Sequence, residues 1–335
     1  MYFKNCALVQ YHLYLAEDGL APLIEDANAY LQRIGCDGQA VDEQKLKEII
    51  EKFGEGGGHT PIQSVKDKCD ADHVLIVHFY HDTYILQIVT NAKRGANWEQ
   101  LNQNFRCANT TSGIGKEVPF QKAVLFQGEY DKSQARKNVL NGCRDLAHSL
   151  GIKAPSLRWC LLDAGYFVQL SDTEFVLASP EGAQEAVIST FALETFPRFA
   201  MYLFKAHWQK EQYDYLIAWM NGEEETPPDG LSQEERGEWK RYRGIIPDLE
   251  AETNEAVAFV TKNEAAIRVI GSREAQKLIG RIQRLRLSYA RLAKAVSDAD
   301  RMRDTIFANI KNCLDLIDRL GVKEDGGFIY NTRRV

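Results

Sequence analysis

Residues 281–320 contain neither glycine nor proline, and this run constrains the fold more than any other stretch of the chain. Apolar side chains fall at Leu278, Ile282, Leu285, Tyr289, Leu292, Val296 and Ala299. That 4-3-4-3 spacing draws an apolar seam along one side of a helix. The rhythm slips near Asp298 and Asp300 and resumes at Ile306, Ile310, Cys313, Ile317 and Leu320. Two arrangements satisfy it: one helix of about 60 Å, at 1.5 Å per residue, or a hairpin bent near 297–300. Three heptads suit a coiled coil and a small helical bundle equally well.

Charge in this part of the chain is segregated. Residues 221–264 hold twelve acidic and five basic side chains, and residues 273–303 hold nine basic and three acidic ones. The simplest expectation is that the two segments pack side by side in one bundle. Lys277, Arg281, Arg284 and Arg291 share one helical face, and they form a candidate surface for an acidic partner or a phosphate. Upstream, NGEEETPPDG (221–230) is polar, with a Pro-Pro pair and two glycines, as linkers are. Its Glu223, Glu224, Glu225, Asp229 and Gly230 are the candidate protease-accessible positions, because proteases cut exposed flexible segments.

Before the linker the pattern is mixed. CALVQYHLYL (6–15) partly alternates as a strand does, and residues 20–35 follow with a helical apolar face that ends at Gly35. A short helix is expected over 42–53 and a loop over 54–61. HVLIVHFY (73–80) and TYILQIVT (83–90) have hairpin spacing. A capped helix at 97–105 and a strand at 120–130 complete the order of a ferredoxin-like α+β sandwich. A second unit follows, with a helix at 132–150, a three-stranded meander over 156–178, a helix from about 181 and another opened by Pro197. The aromatics Phe199, Tyr202, Trp208, Tyr215 and Trp219 on that last helix are expected to pack against the sheet.

The expected fold class is therefore α+β, with ferredoxin-like sandwich units followed by an all-α C-terminal bundle or coiled coil. The expected divisions are an α/β unit over 1–130, a second over 131–220, a linker at 221–231 and a helical domain over 232–335. A length of 335 residues accommodates two or three domains. The net charge of -6 argues against nucleic acid as the default partner. No apolar run approaches the ~18 residues of a membrane span, and the N-terminus lacks the solid apolar core of a secretion signal. Seven scattered cysteines without a C-x-x-C pair suit buried thiols in a reducing cytoplasm.

The chain carries no recognisable catalytic motif. SGIGKE (112–117) lacks the distal glycine and the hydroxyl that a phosphate loop requires. His73, His78, His81 and Asp82 have no metal-ligand spacing, and alternation sends His73 and His78 to opposite faces. Cys143 and His148 are poorly placed for a nucleophile pair on one helix. No catalytic, cofactor or metal residues are assigned, and the chain is expected not to be an enzyme.

The layout resembles a known family. CALVQYHLYL leads into LAPLIEDANAYLQRIG; DADHVLIVHFYHDTYILQIV precedes NWEQLNQNF and VPFQKAVLFQGEY; FPRFAMYLFKAHWQKEQYD and RLSYARLAKAVSDADRMRDTIFANIKN follow. Together these segments resemble the caspase-and-TPR-repeat-associated (CATRA) proteins of bacterial conflict systems. The resemblance implies a non-enzymatic regulatory or adaptor component of a bacterial defence system, as protease substrate, inhibitor or scaffold. The implied partners are a caspase-like or other protease and a small associated protein. Two other classes stay open: a nucleotide-binding enzyme with an unrecognised site, and a nucleic-acid-associated module using the basic C-terminal helix. Self-association through the C-terminal helices is also open.

Overall fold

The structure, a computed structural model, describes residues 3–36, 38, 40–53, 57–67, 71–80, 82–91, 121–152, 157–224, 226, 236–237 and 239–329. The helix expected at 97–105, the glycine-lysine segment 112–117, Cys69, Cys107 and His81 lie outside the described residues. The chain divides into two compact units, residues 1–204 with 312–334, and residues 205–311.

The first unit is built on one mixed sheet. Its strands are β1 (Lys4–Leu15), β2 (Gly58–Lys66), β3 (Asp72–Tyr80), β4 (Thr83–Asn91), β5 (Gln121–Tyr130), β6 (Arg158–Leu162), β7 (Gly165–Gln169), β8 (Glu174–Pro180) and β9 (Glu324–Gly326). They run in the order β2-β3-β4-β1-β5-β8-β7-β6-β9. Neighbours are antiparallel except β5 and β8, which pair in parallel. The α+β class is thus observed, with the strands of both expected sandwich units in a single nine-stranded sheet.

Among the described residues, four α-helices belong wholly to this unit: α1 (Ala21–Arg33), α2 (Glu43–Phe53), α3 (Arg136–Ser149) and α4 (Glu185–Thr190). The alternation of strand side chains sorts the core into two layers. On one side Leu8, Val124 and Val176 meet Val139, Cys143 and Leu146 of α3. Further along that side, Tyr14, Val77 and Leu86 meet Leu23, Ala27 and Leu31 of α1. The opposite side carries an aromatic core. Phe167 lies 5.7 Å from Phe175, 5.9 Å from Phe196, 5.7 Å from Phe199 and 4.8 Å from Phe328.

Three local expectations change. The loop expected over 54–61 gives way to β2 from Gly58 onward, an edge strand that tolerates Pro61 because its register slips between Pro61 and Gln63. The helix from about 181 is α4 followed by a widened turn, Phe191–Thr195, and then α5 (Phe196–Asn221). Pro197 has no N–H to offer the preceding turn. The widened turn leaves the Ala192 carbonyl to accept hydrogen bonds from the Tyr11 hydroxyl at 2.8 Å and Gln87 Nε2 at 3.3 Å. Third, the α5 aromatics divide between two cores, Phe199 in the sheet layer and Trp219 in the second unit.

The second unit is helical, with α6 (Ile245–Ile267), most of α7 (Arg273–Arg319) and the later part of α5. The two arrangements open for the long glycine-free run resolve into one helix: α7 has 47 residues and is about 70 Å long. Among the described residues, no helix is long and apolar enough to cross a membrane.

Candidate functional site

The helical hairpin of α6 and α7 presents the best-defined surface. A tight reversal at 268–272, with Gly271 at φ 82°, turns α6 back along α7. Contacts between the helices fix their register: Ser288 Oγ donates to Glu252 Oε2 at 3.0 Å, and Arg281 Nη1 meets Glu255 Oε2 at 3.1 Å. At the base, Tyr242 donates to Asp298 Oδ2 at 2.8 Å, and Trp219, Trp239, Tyr242, Ile245, Ala295 and Ala299 form the core. The indole of Trp219 donates to the Trp239 carbonyl at 2.6 Å. The α6 part of the acidic segment therefore packs beside the basic α7.

Helical geometry defines two flanks. Residues at the seam of α7 include Arg281, Leu285, Ser288, Leu292, Ala295 and Ala299; those of α6 include Leu249, Glu252, Ala256 and Phe259. In an antiparallel pair, the residues one step C-terminal to each seam position fall on the same side of both helices. On α7 these are Ile282, Tyr289 and Val296, which are 40%, 67% and 46% exposed. On α6 they include Val257, 60% exposed, and Val260. A shallow groove lined by Ile246, Leu249, Glu250, Thr253, Asn254 and Leu292 lies on this side. Half of the expected heptad seam thus packs within the hairpin, and its other half faces solvent.

The opposite flank is charged. Lys277, Arg284 and Arg291, each one step before a seam position of α7, are exposed. Arg281 differs from them: it is half-buried, paired with Glu255, and its guanidinium lies 5.0 Å from the centre of the Phe259 ring. The structure therefore groups three of the four candidate basic residues as an exposed strip and commits the fourth to the interhelical contact. Of the candidate linker positions, Glu223 is exposed and Glu224 half-buried, whereas Glu225, Asp229 and Gly230 lie outside the described residues.

Besides the contacts of Tyr11 and Gln87 with the Ala192 carbonyl, the described residues of the first unit form two further buried polar networks that sequence spacing does not reveal. In one, Asp67 Oδ2 is 3.1 Å from His73 Nε2, and His73 Nδ1 is 2.8 Å from the Tyr30 hydroxyl. Thr90 Oγ1 lies 3.2 Å from both His73 Nδ1 and the Tyr30 hydroxyl. In the tautomer with the proton on Nε2, His73 donates a hydrogen bond to Asp67 and its Nδ1 accepts one from Tyr30. This acid–imidazole–hydroxyl chain has the connectivity of a nucleophile relay. Its Tyr30, His73 and Thr90 are, however, only 3–4% exposed, and the chain ties α1 to β3 and β4.

In the other network the Tyr14 hydroxyl donates to Asp26 Oδ2 at 2.6 Å. His12 Nδ1 stands 3.9 Å from the same oxygen, and neither ring nitrogen has a hydrogen-bond partner. Burial, with Lys122 and Arg33 adding positive charge nearby, pushes the imidazole down to about 3. His12 is accordingly neutral near pH 7, and its approach to Asp26 is not an ion pair. Burial also lowers Lys122, its partner in the β1–β5 register, to about 8.

The five described cysteines are unpaired, and four of them are buried. Burial raises the Cys6, Cys143 and Cys160 thiols to about 12, far from the thiolate range of a nucleophile. Comparison with family models, with curated proteins and with solved structures finds no match to this chain.

Proposed function

We propose that the protein is a non-enzymatic regulatory or adaptor component that works by binding other proteins, in keeping with its resemblance to the CATRA proteins of bacterial defence systems. The observation that carries this reading is the two-sided hairpin, with a solvent-facing basic strip, Lys277, Arg284 and Arg291, along one flank of the helix pair. A strip of this kind attracts an acidic protein surface by long-range steering and sets orientation more than affinity. The proposed partners are a caspase-like protease and its small associated protein, and cleavage near 223–230 is the proposed regulatory event. The order β3-β4-β1-β5 with antiparallel neighbours supports reading the first strands as a ferredoxin-like sandwich.

The test is co-expression with a caspase-like protease, and failure to form any complex removes that partner from the reading. A complex that weakens with salt, and that the triple variant Lys277→Glu, Arg284→Glu, Arg291→Glu loses while keeping its helical circular dichroism, supports the reading. A complex indifferent to the triple variant removes the basic strip from it. Binding of duplex DNA by the wild type, with comparable loss in the triple variant, would favour a nucleic-acid module instead.

A further inference from the structure

We infer that the apolar flank of the hairpin is a self-association surface, on which a second copy of this chain docks to form an antiparallel four-helix bundle. This goes beyond the partner-binding role and uses the other side of the hairpin. The α6 helix alone carries five acidic residues and one basic, whereas residues 273–296 of α7 carry seven basic and one acidic. Two copies face each other by a twofold axis in one of two ways. With the axis across the hairpin, α6 lies on α6 and α7 on α7, which opposes like charges. With the axis along the hairpin, the acidic α6 of each copy lies on the basic α7 of the other. Lys277, Arg284 and Arg291 lie on the far flank and act only at long range, so the charges that decide at the interface are Glu250 and Arg286, which only the second arrangement brings together. Every neighbouring helix pair is then antiparallel, as in an up-down-up-down bundle.

The residue heights agree with this arrangement. The Glu252–Ser288 and Glu255–Arg281 contacts set the level of each residue along the pair. By that register Val257 is level with Ile282, and Val260 with Ile279, so an axis along the hairpin sets each valine against the isoleucine of the other copy. Ile279 is itself 55% exposed. Glu250 comes within about one helical turn of Arg286 across the interface. The packed surface of the pair, about 35 Å long and two helices wide at ~10 Å each, gives a footprint of roughly 700 Å² per copy. That approaches the ~800 Å² per partner typical of a stable interface. The surface is isologous, so it closes at two copies.

The test is sedimentation velocity of the full chain across a concentration series. A monomer–dimer equilibrium is expected. Ile282→Glu and, on the other helix, Val257→Glu should each weaken the dimer more than about a hundredfold by burying an unpaired charge. Gln283→Glu, exposed and outside the flank, should leave it unchanged. Circular dichroism separates loss of dimer from loss of fold, and the two glutamate variants lie on different helices, so one remains informative if the other unfolds. Glu250→Arg and Arg286→Glu should each weaken the dimer by roughly two- to five-fold, and the double exchange should restore it. A monomer at every concentration, or a dimer that tolerates both glutamate variants, overturns the inference. A dimer in which the charge exchange gives no restoration overturns the axis along the hairpin.

Discussion

Replacing Phe328 by alanine tests whether the C-terminal return of the chain is part of the first unit's core. Beyond α7 the chain adds β9 to the edge of β6 and then places Phe328, 1% exposed, among the aromatics of the sheet layer. The ring is 4.8 Å from Phe167 and 5.9 Å from Phe199. Asp325 Oδ1 accepts the Phe328 amide at 2.9 Å and the Ile329 amide at 3.2 Å, which shapes the turn that delivers the ring. Removing a buried phenylalanine costs about 3–5 kcal/mol, through lost burial and the cavity left behind. Two aromatic contacts at these distances place the expected cost toward the upper part of that range. Phe328→Leu fills most of the volume and should cost less than about half as much. Urea unfolding, extrapolated linearly and followed by far-ultraviolet circular dichroism, supplies both differences. A Phe328→Ala cost below about 1 kcal/mol would refute the packing of this segment into the core.

Three further outcomes are expected. Between about pH 6.5 and pH 4, stability should fall as the pH falls, because burial lowers His12 to about 3 and His78 to about 4 while the unfolded chain takes up those protons. Asp26, raised by burial, works in the opposite direction. The slope of the urea midpoint against pH should therefore flatten in His12→Gln, and an unchanged slope would show that His12 titrates normally. Gly326→Ala should displace β9 or the Trp159 ring, since a Cβ there would sit 2.1 Å from the indole. The variant should lose about 1–3 kcal/mol and change the tryptophan emission, to which Trp159 is one of five contributors; unchanged stability and emission would contradict that close approach. Tyr11→Phe should cost about 1 kcal/mol, because Gln87 remains to serve the Ala192 carbonyl. A loss above about 3 kcal/mol would mean that the widened turn depends on Tyr11 alone.

What could be read in advance was periodic. The spacing of α7, the meander of β6 to β8 and the stops at Gly35 and Gly151 are local signals, and local geometry follows from them. The sheet order was not local: Val124 pairs with Glu174 in parallel, and β9 joins β6 from the far end of the chain. No pattern in either segment encodes its partner. Residues 58–61 read as a loop because they continue the glycine-rich run 54–58 and end in Pro61, whereas an edge strand needs only one good neighbour. The buried networks were invisible for the same reason. Tyr30, Asp67, His73 and Thr90 are brought together by α1 crossing the sheet, not by spacing. The basic residues of α7 were legible as a face, yet only the approach of α6 separates Arg281, spent on Glu255, from its three exposed neighbours. The heptad seam was legible too, but only structure shows that Ile282, Tyr289 and Val296 are left uncovered.

The two-sided hairpin is tested most directly by cross-linking between differently marked chains. Val257→Cys is introduced into one preparation and Ile282→Cys into a second of distinguishable mass, and the two are mixed and oxidised gently. Disulfides between the two marked chains should dominate, above the background of the parent chain, because an axis along the hairpin sets position 257 of one copy against position 282 of the other. Cross-links formed mainly between identical chains, or none above background, would contradict it.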